Sequence, residues 1–249
     1  MTTTTHIHQR EVGDNGYTFV DGIFSIDEID SIITAVEQTD TSKPTFRKSA
    51  DLFAIRQFIK EVPEVVHLIF TEKMLASIKE LFGDEYFVVK SIYFDKPDQS
   101  NWFVAYHQDL TISVDKKIAL DGYGPWTTKK DQFAVQPPLE ILENNFTIRI
   151  HLDDTTEENG ALRVIPGSHL KGIYRAENID WTVEKEVTCN VPAGGIMIMK
   201  PLLLHASGKT TNGKKRRVIH IEFSNQVLHK QLEWAEHFDY ETKNNTAND

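Results

Sequence analysis

The tetrapeptide Tyr106-His107-Gln108-Asp109 puts an imidazole and a carboxylate at alternate positions. In an extended chain residues i and i+2 project to the same side, so His107 and Asp109 reach one point while Gln108 faces away. A second imidazole, His205, stands far downstream in Pro201-Leu-Leu-Leu-His205-Ala-Ser207-Gly208. Two neutral imidazoles and one carboxylate can occupy one face of an octahedral metal. The open face is left to a co-substrate and oxygen, the ligand geometry of non-haem Fe(II) oxygenases. Beyond His205, Arg216 and Arg217 open an apolar strand, where a guanidinium would grip the far carboxylate of a 2-oxo acid through two parallel bonds. H-x-D by itself is a weak signal, because short polar triplets are common. The later histidine and the arginine-bearing strand give it weight.

The elements that must position these residues fall into two textures. Ser25 and Glu28 form a capping box ahead of Ile26, Ile29, Ile32, Ile33 and Val36 at helical spacing. A second helical region runs from about Pro63 to Phe82, with a restart at Thr71 and a stop at Gly83. Helical support is thus expected over about 25–83, and a β core over about 85–225. Strands are expected at 86–94, 103–107, 146–152, 161–165, 186–191, 195–199 and 218–223, rich in aromatic and β-branched residues. Short strands punctuated by Gly and Pro suggest a mostly β sandwich or barrel with flanking α-helices. Residues 113–140, with Gly122, Gly124, Pro125, Pro137 and Pro138, read as a long irregular loop, and such loops are often lids. Trp126 and Phe133 either belong to that lid or simply anchor it. The N-terminus with His6 and His8 reads as floppy, and the tail 243–249 as disordered. An apolar stretch with Val227, Leu228, Leu232 and Trp234 suits the core or a partner equally, and leaves the oligomeric state open.

At 249 residues, 40% hydrophobic and 10% aromatic, the chain can bury a substantial core as one domain. Its one cysteine, Cys189, permits no internal disulfide and suggests a reducing, cytoplasmic setting. No secretory leader is evident and no run approaches the ~18 apolar residues of a membrane span. With 37 acidic against 27 basic residues the net charge is −10, which argues against a nucleic-acid surface. Lys214 and Lys215 read as a solvated basic turn.

Three blocks give the chain a resemblance to the phytanoyl-CoA dioxygenase family of Fe(II)/2-oxoglutarate oxygenases. They are Tyr106 to Asp109, Leu152-Asp-Asp-Thr-Thr-Glu-Glu-Asn-Gly-Ala-Leu-Arg-Val-Ile-Pro-Gly-Ser-His169, and His205 through Arg216. The middle block is the most specific. The resemblance implies a double-stranded β-helix (jelly-roll, cupin-like) core. It also implies His107, Asp109 and His205 as iron ligands, Arg216 on the C5 carboxylate of 2-oxoglutarate, and Ser207 adding a hydrogen bond there. Arg217 is the rival anchor, and the family spacing favours Arg216. Arg149, in Phe146-Thr-Ile-Arg149-Ile-His151, departs from the aromatic residue of the phytanoyl-CoA enzyme. It would touch an anionic substrate or the co-substrate, or else be a barrel-wall arginine paired to an acid. His151, His169 and His220 are expected to be structural, with an outer role for His220 conceivable.

The implied reaction uses Fe(II), 2-oxoglutarate and O2, releases succinate and CO2, and hydroxylates an unactivated C–H of a small molecule. Related halogenases replace the metal carboxylate, so Asp109 makes hydroxylation the default. Arg149 and the Lys129-Lys130 pair favour an anionic, carboxylate-bearing substrate, and the acidic overall balance disfavours a CoA thioester. Two other classes compete: a cupin-type metal-dependent hydrolase or isomerase that ignores 2-oxoglutarate, and a non-catalytic jelly-roll binding module.

Overall fold

Two antiparallel sheets face each other across the interior in the computed structural model, which describes residues 3–40, 42, 45–50, 53–129 and 132–240. The larger has the order β1-β12-β9-β14-β4-β3-β2. Its strands are β1 (Tyr17–Val20), β2 (Phe46–Lys48), β3 (Phe53–Arg56), β4 (Phe87–Lys96), β9 (Phe146–His151), β12 (Ile196–Met199) and β14 (Arg216–Ser224). The smaller, β11-β10-β13-β5, contains β5 (Val104–His107), β10 (Leu162–Val164), β11 (Val187–Cys189) and β13 (His205–Ser207). This is the jelly-roll with flanking helices that the sequence implied.

The larger sheet is covered on both faces, and its sequence alternates accordingly. On β9, Phe146, Ile148 and Ile150 join Ile219, Ile221 and Phe223 of β14 under the helices. Those helices are α2 (Ile26–Glu37), the short α3 (Phe58–Glu61) and α4 (Val66–Ile69), and α5 (Glu72–Phe82). The Ser25 capping box is formed and Thr71 caps α5, each worth about 1 kcal/mol to its helix. The opposite register, Thr147, Arg149 and His151 on β9 with Val218, His220 and Glu222 on β14, faces the smaller sheet. Period-2 alternation therefore sends a polar stripe into the molecule's centre, where a site must be.

Three expectations are corrected. The N-terminus is not floppy: α1 (Thr3–Asn15) is a helix. It lacks an amphipathic stripe and is held by tertiary bonds. Thr5 donates to Glu80, and the ring of His8 bonds the hydroxyl of Thr18 at 2.8 Å. The region 25–83 is not purely helical, since β2 and β3 add an edge to the larger sheet, as β1 does at the other end. Finally, 113–140 is not irregular throughout. Strands β6 (Ile112–Val114), β7 (Trp126–Lys129) and β8 (Gln132–Val135) form a meander of order β6-β8-β7, followed by α6 (Leu139–Asn144). Strands of three or four residues carry too little alternation to stand out among so many Gly and Pro. Trp126 and Phe133 sit on this meander, and Leu228, Leu232 and Trp234 pack against it in a separate apolar cluster. The tail 243–249 and Lys130 lie outside the described residues. Among the described residues no helix is long and apolar enough to cross a membrane.

Candidate active site

β5 and β13 are adjacent antiparallel strands whose register sets His107 directly opposite His205, with ring centroids 4.3 Å apart. Asp109 lies just past the end of β5, and its N–H donates to the Pro201 carbonyl at 2.9 Å. One ligand atom from each of His107, Asp109 and His205 falls within 4.8 Å of the others. His107 Nε2 is 3.7 Å from Asp109 Oδ1, and His205 Nε2 is 3.8 Å from Oδ2. Two donors at right angles about 2.1 Å from a metal would be about 3 Å apart, so a small inward rotation closes the set.

Both imidazoles are already in the tautomer a metal needs. His107 Nδ1–H donates to Ala105 O at 2.9 Å and His205 Nδ1–H to Leu203 O at 2.8 Å, which leaves both Nε2 lone pairs facing Asp109. Burial pulls His205 down to about 4, so its ring is neutral in ordinary buffers. For Asp109, burial alone would raise the carboxyl, but His205, His220 and Lys90 hold it well below the usual range. A carboxylate beside two imidazoles that turn their Nε2 atoms toward it is a donor set that fits Fe(II).

The specific middle block explains why His205 stays put. Ile165 N–H donates to Leu204 O, and Leu204 N–H to the Ser168 hydroxyl at 2.8 Å. The turn itself is tied to α1, where His169 Nε2–H donates to Gly13 O. At Gly160, φ is +85°, and a Cβ would lie 2.6 Å from Lys96 Nζ and 2.7 Å from Gly208 O. Only glycine admits the Lys96–Gly208 hydrogen bond behind β13.

The trio opens onto a cavity of about 240 Å3 whose far wall carries Arg149 and Arg216, with Ser207 beside His205. Arg149 is 7% exposed and Arg216 4%. Neither forms an ion pair among the described residues, and Arg149 Nε and Arg216 Nε and Nη1 are buried without partners. Burial pushes Arg149 down to about 10 and Arg216 to about 9. Buried cations lacking a counter-ion are costly, and these two wait for an anion. Arg217 turns the other way, into a two-bonded pair with Asp153 at 2.9 and 2.7 Å. Lys214 and Lys215 are exposed.

His220 links Arg149 to its neighbours. Arg149 Nη1–H donates to His220 Nδ1 at 3.1 Å, and His220 Nε2–H to Glu222 at 3.0 Å. Lys90 closes the chain on Glu222 at 2.6 Å. Asp109, His220 and Glu222 also come within ligand range of one another, but Lys90 and Arg149 already supply the positive charge there. His151 bonds Thr155 at 2.7 Å, and burial keeps it neutral, close to Arg149 and Arg216.

Sequence reasoning missed three side chains here. Gln108, which does face away from the metal trio, is buried and staples the ligand segments together. Its amide donates to Gly172 O and Leu202 O and accepts from Tyr174 N–H. Lys90 and Lys96 also went unnoticed, although β4 carries them in register with Ile92 and Phe94, an alternation that puts both lysines inside.

A model of the family described as phytanoyl-CoA dioxygenase (PhyH) matches residues 12–218. The chain is 24% identical over 264 residues to a probable alpha-ketoglutarate-dependent hypophosphite dioxygenase of Stutzerimonas stutzeri, covering 94% of this chain and 83% of that protein. Among solved structures, EctD from S. alaskensis with bound Fe aligns with a TM-score of 0.67 at 17% identity, over 90% of this chain and 76% of that one. The epimerase SnoN in complex with Fe3+, alpha ketoglutarate and nogalamycin RO aligns at 0.66 and 15% identity, over 89% and 83%. At those identities the structures speak to the fold, and the family match, spanning both halves of the trio, speaks to descent: the chain belongs to the phytanoyl-CoA dioxygenase family.

Proposed function

We propose that the protein is an Fe(II)/2-oxoglutarate-dependent dioxygenase that hydroxylates a small molecule, with His107, Asp109 and His205 as the iron ligands. One observation carries the reading: a convergent His-Asp-His trio faces two buried guanidiniums that have no counter-ion among the described residues. When bound, iron and 2-oxoglutarate supply O2 activation coupled to decarboxylation, releasing succinate and CO2. The chain's own residues bind and orient. Arg216 takes the C5 carboxylate with help from the Ser207 hydroxyl, a pairing that a planar fork serves best. Arg149, opposite His220 on the wall of the same cavity, steadies the metal-side end of the co-substrate. His220, held in one tautomer by Glu222, fixes the Arg149 guanidinium. Ile92, Phe94 and Trp102 line the same cavity and limit water. The single buried thiol, Cys189, suits a reducing, cytoplasmic setting.

The test is an anaerobic titration of the metal-free protein with Fe(II) and then 2-oxoglutarate, followed by the visible charge-transfer band of the chelate. The band is expected in the native chain and absent in His205→Ala. Iron binding without the band would remove the co-substrate from the scheme and favour a metal-dependent hydrolase.

A further inference from the structure

A second cavity, of about 490 Å3, adjoins the first, and Lys90 and Ile92 stand in the wall of both. Its relation to the trio follows from strand register. On the inner face of the larger sheet one cross-strand row runs Arg149, His220, Ile92, Arg56. Residues opposite one another across antiparallel strands share a face, with Cβ atoms about 5 Å apart. Arg56 therefore continues the row that lines the metal cavity, one strand further out. The other wall comes from the β6-β8-β7 meander, which begins just beyond Asp109 and contributes Lys129 and Phe133. Trp234 and Glu236 close the side.

The charges in these walls are unequally satisfied. Glu236 accepts from both the N–H and the hydroxyl of Ser91. Asp115 accepts from Glu233 N–H and pairs with Lys116. Lys90 is engaged by Glu222. Arg56 and Lys129 are left, with no side-chain partner among the described residues. Ile92, Phe133 and Trp234 between them offer an apolar surface for carbon. The volume suits one small molecule, and two strand spacings, about 10 Å, separate the backbones of Arg56 and His220.

We propose that this cavity is the substrate site, and that the substrate is a small molecule whose carboxylate or phosphonate group rests on Arg56 and Lys129. Its hydrocarbon portion then lies along Ile92 toward His107, Asp109 and His205. The assignment rests on the reading of that trio as the iron site, but its binding test does not need iron. Hexanoate, pentylphosphonate and the neutral control hexanamide are titrated against the metal-free protein by ligand-observed NMR. At least one anion is expected to bind about tenfold tighter than the amide, the effect of one charge-assisted contact, and the tighter anion names the group. Arg56→Gln with Lys129→Gln erases the preference, and Arg216→Met retains it. Arg56→Lys with Lys129→Arg keeps both charges and retains it too, which controls for folding. Equal binding of acid and amide overturns the proposal, as does no saturation below about 10 mM. So does a preference lost in Arg216→Met instead, which would put the anion in the co-substrate cavity. In the Gln pair the iron–2-oxoglutarate band persists. If the native chain itself gives no band, the iron reading fails while the anion preference stands on its own titration.

Discussion

Arg216→Met removes a guanidinium but keeps a long apolar side chain in its place. In the co-substrate-free fold that guanidinium is a burden: it is 4% exposed, two of its nitrogens are unpaired, and burial with the repulsion of Arg149 pulls it down from the ordinary guanidinium range to about 9. At 1.36 kcal/mol per pK unit the displacement amounts to several kcal/mol. Relaxation around a buried ion recovers part of this, so we expect the variant to gain about 1–3 kcal/mol. A chain of this size gains roughly 2–4 °C in Tm per kcal/mol. With 2-oxoglutarate present the sign reverses. Removing one partner of a buried ion pair costs about 3–5 kcal/mol, a loss of affinity of roughly 100- to 4,000-fold. Calorimetry with and without 2-oxoglutarate, and the anaerobic charge-transfer titration, read the two effects separately. Arg217→Met is the companion. It breaks the Asp153 pair, so it should lower stability by about 1–3 kcal/mol and leave 2-oxoglutarate affinity within about threefold. The reasoning fails if Arg216→Met destabilises as much as Arg217→Met, or weakens 2-oxoglutarate less than tenfold.

His205→Ala and Asp109→Ala should each abolish tight Fe(II) binding in anaerobic equilibrium dialysis while the far-ultraviolet dichroism is unchanged; iron retained in His205→Ala but lost in Asp109→Ala would move the centre to the Asp109–His220–Glu222 group. Gly160→Ala forces a Cβ against Lys96 Nζ and Gly208 O at a φ of +85°. We expect a loss of about 1–3 kcal/mol, and a neutral result in a urea melt would mean that the Lys96–Gly208 contact is dispensable. Glu236 is raised from 4.5 to about 7, chiefly by burial. Its stabilising contribution is therefore complete below pH 4.5 and lost as pH rises through 7, amounting to about 3 kcal/mol at most. Glu236→Gln should flatten the change in stability between pH 5 and pH 8, and an undiminished slope would count against that assignment.

What the sequence exposed and what it hid divide along physical lines. The convergence of His107, Asp109 and His205 was legible from an i, i+2 pair and a later strand position, and the inward turn of Arg216 from the spacing of the family that the chain resembles. The capping box at Ser25 and the stop at Gly83 were legible because caps are local. The helix α1 was hidden, since Thr3–Asn15 has no apolar stripe and depends on Thr18, Glu80 and His169 elsewhere in the chain. The β6-β8-β7 meander was hidden for a similar reason. Its strands make sense only against Leu228, Leu232 and Trp234, about a hundred residues away in sequence. Gln108 was discounted because alternation turns it from the metal. That orientation is what lets it tie the His107 segment to Leu202.

Net charge and the charge of the site differ in sign. The chain carries 37 acidic against 27 basic residues, yet the acids lie mostly outside. The interior presents Lys90, Lys96, Arg149 and Arg216 against Asp109 and Glu222. Lys90 and Glu222 cancel, and Lys96, pushed down to about 8 by burial and Arg216, sheds charge readily. Arg149, Arg216 and a divalent metal then face a single carboxylate, Asp109. A dianionic 2-oxo acid answers most of that excess, and with Arg56 one strand further along the same row, some positive charge is left over. The mean charge of a protein reports on its solubility and encounters; the selection of a ligand here is set by which register of four strands points inward.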